Sequence, residues 1–120
     1  MVWKKRETTA DKDLDFADGE VCWDSKKGLM RILTHNHNGF VRDLGDVQSP
    51  EHPTQKPLAV MLWCLSFSLD SKTVLDPYMG SGTTLRACKD HGKQCTGIER
   101  EERYCEIAAR RLAQGVLDLR

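Results

Sequence analysis

Apolar and polar positions are spaced differently in the two halves of this 120-residue chain. From Met1 to about Glu51 the sequence is polar and broken by Gly19, Gly28, Gly39, Gly45 and Pro50, with only short runs such as Gly28 to Thr34 able to form strands. This half predicts loops and a small sheet, and by itself no core. A boundary follows at His52-Pro53-Thr54-Gln55-Lys56-Pro57, where Pro53 fixes an extended entry and Pro57 suits the first turn of a helix. Leu58, Met61, Leu62 and Leu65 then recur at i, i+3, i+4 and i+7, which gives one apolar helical face. Thr73-Val74-Leu75 is a β-prone run ending at Asp76, and a glycine-rich turn from Pro77 to Thr84 opens onto a helix to about His91, stopped by Gly92. Gln94 to Ile98 forms a second strand ending at Glu99, and a last helix runs from about Glu101 to Gln114 with Tyr104, Ile107, Ala108 and Leu112 inward. Strand, helix, strand, helix predicts a parallel βαβα unit with a right-handed crossover, hence an α/β, partial Rossmann-like fold over residues 52–120 behind an irregular arm over 1–51.

Composition narrows the reading only slightly. Lys plus Arg and Asp plus Glu number 18 each, so the net charge is zero and supplies no basic footprint for nucleic acid. Five cysteines (Cys22, Cys64, Cys88, Cys95 and Cys105) form no C-x-x-C pair and mostly sit in apolar segments, as buried reduced thiols of a cytosolic protein do. No apolar segment follows the charges at the N-terminus, and the longest apolar stretch, around Leu58 to Leu69, is far below a membrane span. The expectation is a soluble, cytoplasmic protein that makes no use of a membrane.

A glycine-rich turn between a strand and a helix N-terminus, with an acid at the end of the next strand, is the arrangement that seats an adenosine cofactor at the carboxyl edge of a sheet. Gly80 and Gly82 let the backbone approach a ligand, and Glu99 can accept hydrogen bonds from both ribose hydroxyls. A phosphate cradle needs Gly-Lys followed by Ser or Thr, but Gly82 is followed by Thr83 and Thr84. A dinucleotide fingerprint needs a third small residue where Leu85 stands. A carboxylate at Asp76 repels a pyrophosphate and suits a cofactor bearing an ammonium and a sulfonium, and S-adenosylmethionine has both. The plainer alternative is an ordinary βα turn whose Asp76 caps nearby amides.

Asp76-Pro77-Tyr78-Met79-Gly80-Ser81-Gly82-Thr83-Thr84 resembles the cofactor motif of DNA methyltransferases that modify exocyclic amino groups of adenine (N6) or cytosine (N4). His52 to Pro57 is similar to the family segment that helps hold the methionine end, and Gly97-Ile98-Glu99 to its ribose-binding acid. The resemblance implies S-adenosylmethionine as cofactor, with Thr54 and Lys56 near its carboxylate, Asp76 near its amino group, Tyr78 against it, Glu99 on the ribose, and Pro77, Gly80, Ser81, Gly82, Thr83 and Thr84 completing the turn. It also implies double-stranded DNA as the partner of the complete enzyme, and a place in restriction-modification. Phe16 to Trp23 and Asn38-Gly39-Phe40 resemble, more weakly, the variable recognition region of small phage-type members, so residues 1–51 are read as a target-recognition-like segment.

One element of the family pattern is missing. Such enzymes carry Asp, Asn or Ser followed by two prolines and an aromatic, a loop that bonds the target amine while the ring stacks on the flipped base. The prolines here, at 50, 53, 57 and 77, are nowhere adjacent. No catalytic residue is therefore assigned, and the chain is expected to be a C-terminal fragment or split half that is inactive without an N-terminal half or companion subunit. The rival is a catalytically silent module that binds the cofactor, DNA or another subunit.

His35, Asn36, His37 and Asn38 with Asp43 could suggest a metal cluster, but without cysteine or carboxylate partners at ligand spacing they read as a polar recognition loop, and no metal is assigned. Lys4, Lys5, Arg6, Lys26, Lys27 and Arg31 with Trp3 and Trp23 are equally compatible with phosphate and base contacts and with solvated charges beside packing aromatics. Arg110 and Arg111 fit a helix whose last turn favours cations, and no functional claim attaches to them.

Overall fold

Residues 1–5, 17–26, 28–37 and 54–113 are described in a computed structural model, in which the chain divides into two units, Met1–Gln48 and Ser49–Arg120. In the first, β1 (Val2–Lys4) lies between β2 (Gly19–Val21), which is antiparallel to it, and β3 (Ile32–Thr34), which is parallel. Trp3 is the buried residue of β1, and its indole N–H donates to the His35 carbonyl at 2.9 Å. A buried indole with a satisfied N–H is a packing element, the plainer of the two roles the sequence allows Trp3, whereas Trp23 is exposed. The strand expected over Gly28 to Thr34 is regular only from Ile32, with the Arg31 carbonyl accepting from Val2 at 2.8 Å. The reason is the short partner: a ladder cannot outrun β1, which has three residues.

The second unit contains α1 (Leu58–Ser66), β4 (Thr73–Asp76), α2 (Thr83–Asp90), β5 (Gln94–Gly97) and α3 (Glu102–Ala113). β4 and β5 pair in parallel with Asp76 opposite Gly97, so the two strand tips and the loops that leave them share one edge. This is the α/β, partial Rossmann-like architecture that the periodicity predicts. β5 ends one residue early as a ladder, although Ile98 still donates to the Asp76 carbonyl at 2.9 Å. Gln114, expected in the last helix, lies outside the described residues.

The core forms where α1 meets α2. Leu65, Ala87 and Cys88 are buried, with Leu58, Met61, Leu62, Val74 and Cys95 packed against them. Ala87 and Cys88, both fully buried, are small enough for the helices to approach closely. Lys93 closes the turn after α1 by donating from Nζ to the carbonyls of Ser68 (2.8 Å), Leu69 (3.3 Å) and Ser71 (2.5 Å). On the far face of the two strands Leu75 is 64% and Ile98 55% exposed, although parallel sheets usually bury both faces. Among the described residues no helix is long and apolar enough to cross a membrane.

Candidate functional site

The loop leaving β4 is shaped by its own side chains and two glycines. Asp76 Oδ1 accepts the Tyr78 amide at 3.0 Å, an Asx turn that redirects the backbone directly after the strand. Gly80 and Gly82 adopt φ of 50° and 78°, the left-handed region in which a side chain is strained. Gly82 meets a second constraint, because a Cβ there would lie 2.7 Å from Cβ of Ala108 on α3. Gly82 thus lets α3 approach the turn closely at Ala108.

Glu99, leaving β5, reaches back to this turn. Its Oε2 accepts the Gly80 amide at 3.0 Å and its Oε1 the Glu101 amide at 2.9 Å. Both oxygens of the acid that the sequence assigns to a ribose therefore also hold backbone, each with a further lone pair in principle.

A cavity of about 350 Å³, within the range of small-molecule sites, opens at the carboxyl edge of the strands. Of the residues expected to bind a cofactor, Thr54, Lys56, Asp76, Tyr78, Gly80, Ser81, Thr83 and Thr84 line it, while Pro77, Gly82 and Glu99 do not. Gln55, Met61 and Met79 line it as well. Met61 packs against the core from α1 and lines the cavity as well, a second role that its helical spacing does not mark. Tyr78 is 89% exposed, so its ring stands largely in solvent at the cavity margin.

Ser81, almost fully buried, joins the two segments that form the lining. Its hydroxyl donates to Gln55 Oε1 at 2.9 Å and accepts from Arg111 Nη1 at 3.1 Å. Arg111 Nη1 also donates to the Ser81 carbonyl at 2.8 Å and to Thr83 Oγ1 at 3.4 Å. These partners lie 28 to 30 residues from Arg111 along the chain, so its sequence neighbourhood carries no sign of them.

The donor set fits a zwitterionic adenosine cofactor. It offers one cation (Lys56), one carboxylate (Asp76), hydroxyls and apolar methionine surface, without the Gly-Lys of a phosphate cradle. Behind the site, burial and a hydrogen bond with Cys88 push the Cys95 thiol up from 9.0 to about 12, with smaller contributions from the charges of Cys88 and Asp76. All five cysteines are free, but against the expectation of buried thiols only Cys88 is buried, with Cys64, Cys95 and Cys105 half-buried and Cys22 exposed. Among the described residues no three His, Cys, Asp or Glu side chains are grouped to hold a metal. His35 is buried in its own unit and donates its amide to the Lys4 carbonyl at 3.0 Å; Asn38 and Asp43 lie outside the described residues, as do Arg6 and Lys27.

Comparison with known proteins agrees with this architecture. A family model described as DNA methylase matches residues 2–110. The chain is 42% identical over 64 residues to the type II methyltransferase M.HinfI of Haemophilus influenzae, a match that covers 52% of this chain and 18% of that protein. It is 39% identical over 66 residues to the type II methyltransferase M2.LlaDCHI of Lactococcus lactis subsp. cremoris, covering 54% of this chain and 24% of that one. The chain thus matches less than a quarter of the length of either. Its fold superposes on the crystal structure of the M1.HpyAVI–SAM complex with a TM-score of 0.63 at 25% identity, covering 95% of this chain and 61% of the other.

Proposed function

Because this chain belongs to the DNA methylase family, we propose that its cavity holds S-adenosylmethionine and that the complete protein methylates an exocyclic amine, N6 of adenine or N4 of cytosine, in double-stranded DNA. The observation that carries the reading is the cavity at the strand tips, where Lys56 and Asp76 line one space beside a glycine turn. Lys56 and Thr54 face the cofactor's carboxylate and Asp76 its ammonium, an arrangement that satisfies both charges without a phosphate-binding group. The side chains of Met61 and Met79 and the ring of Tyr78 supply apolar surface. Glu99 orders the turn through Gly80 and offers its remaining lone pairs to the ribose. When bound, the cofactor supplies an electrophilic methyl group on a sulfonium sulfur.

The loop that holds the flipped base is not among these 120 residues, whose prolines are nowhere adjacent. The chain alone therefore transfers no methyl group, and the missing loop is supplied by residues outside this sequence or by a companion subunit. The same observation favours a second reading, a cofactor-binding module that associates with DNA or another subunit and performs no chemistry.

Methyl transfer from labelled S-adenosylmethionine to duplex DNA, read by mass spectrometry of the digested nucleosides, tests the proposal. This chain should leave DNA unmodified, whereas a protein that joins it to the proline-containing loop should yield N6-methyladenine or N4-methylcytosine. Methylation by this chain alone contradicts the need for the loop. Modification of a ring carbon, or none by the joined protein, overturns the assignment.

A further inference from the structure

The two segments lining the cavity are tied by a side-chain relay whose far end is the last turn of α3. Ser81 is 3% exposed, and its hydroxyl has one hydrogen and two lone pairs. Arg111 Nη1 donates to that oxygen at 3.1 Å, and the hydroxyl hydrogen goes to Gln55 Oε1 at 2.9 Å. Gln55 stands between Thr54 and Lys56, and all three line the cavity. Nη1 carries two hydrogens for three acceptors, so its 3.4 Å contact with Thr83 is the weakest and the Ser81 contacts dominate. A charged donor on Ser81 polarises its O–H and strengthens the next bond, so the guanidinium acts on Gln55 through Ser81.

We infer that Arg111 is a positioning residue for the cofactor pocket: by fixing Ser81 it sets the separation of the Thr54–Lys56 segment from the glycine turn, and so lets Lys56 and Asp76 address the same ligand. The identity of that ligand rests on the function proposed above; the relay does not. Lysine is a poor substitute, because an ammonium on a flexible stem does not reproduce the fixed fork of a guanidinium.

The test combines amide hydrogen exchange of the ligand-free full chain with calorimetric titration of S-adenosylmethionine, for the wild type, Arg111→Leu, Gln55→Leu, the double variant and Arg111→Lys. Arg111→Leu should speed exchange at Thr54 to Lys56 as well as in the glycine turn, and should weaken cofactor binding about tenfold, the scale of one lost hydrogen bond. Gln55→Leu should weaken binding by a similar factor, and the double variant by no more than about tenfold, since both changes cut the same relay. Arg111→Lys should lie between wild type and Arg111→Leu in exchange at Thr54 to Lys56, and it serves if the leucine variant does not fold. Faster exchange confined to α3 and the glycine turn, or losses that multiply to about a hundredfold in the double variant, would overturn the inference. A wild-type chain that binds no S-adenosylmethionine defeats the cofactor assignment, while exchange at Thr54 to Lys56 still decides whether Arg111 positions that segment.

Discussion

The carboxylate of Glu99 is bonded to the amide of Gly80, with Oε2 accepting at 3.0 Å across the tips of two parallel strands. Gly80 is buried, so its amide has little water to turn to if the acceptor is lost. The same carboxylate accepts from Glu101 just before α3. Glu99→Ala should therefore lower the stability of the ligand-free chain by about 2 kcal/mol, the cost of an unsatisfied buried donor. Urea denaturation without cofactor checks this, and an unchanged midpoint would show that Glu99 serves only a ligand.

Two left-handed glycines should respond differently to alanine. Gly92 (φ 64°) has nothing within 4 Å of an added Cβ, so Gly92→Ala should cost about 1 kcal/mol of backbone strain. At Gly82 (φ 78°) the Cβ also meets Ala108 at 2.7 Å, and Gly82→Ala should cost about 3 kcal/mol. Thermal denaturation of both variants tests the order.

Lys93 gathers three carbonyls of the turn after α1. Lys93→Met keeps most of the stem and removes the donors, so it should destabilise by about 1–2 kcal/mol and speed amide exchange between Phe67 and Lys72. Equal stability to urea in the two proteins would contradict the role.

The Cys95 thiol gives an alkaline signature. Its pKa rises from 9.0 to about 12 on folding, chiefly by burial, so the native state keeps a proton that the unfolded chain releases. This contribution to stability is complete below pH 9 and falls as the pH rises from 9 towards 12. Cys95→Ala should make stability less dependent on pH in that window, and iodoacetamide should alkylate exposed Cys22 well before Cys95 in the folded chain.

The βαβα unit was legible because its signals are local: the Leu58, Met61, Leu62, Leu65 stripe, the β-prone run before Asp76, and Gly92 after α2 all act within a turn or two. Most residues expected at a cofactor site line one cavity for the same reason, since a strand tip and the turn that leaves it are contiguous in sequence. What the sequence concealed depends on distance along the chain. Arg111 looks like a last-turn cation until the fold carries it to Ser81, 30 residues away. Trp3 is equally compatible with base contact and with packing in the sequence, until the His35 carbonyl, 32 residues on, takes its N–H. Met61 packs against the core as its helical spacing predicts, but that spacing does not reveal that the same side chain also lines the cavity.

Calorimetric titration of S-adenosylmethionine into the folded chain, with Asp76→Ala as control, tests the central claim most directly. The account predicts saturable binding at one site that is at least about tenfold weaker in Asp76→Ala, because an ammonium would lose its carboxylate. Absence of binding by a folded wild-type chain, or equal affinity in the variant, would contradict it.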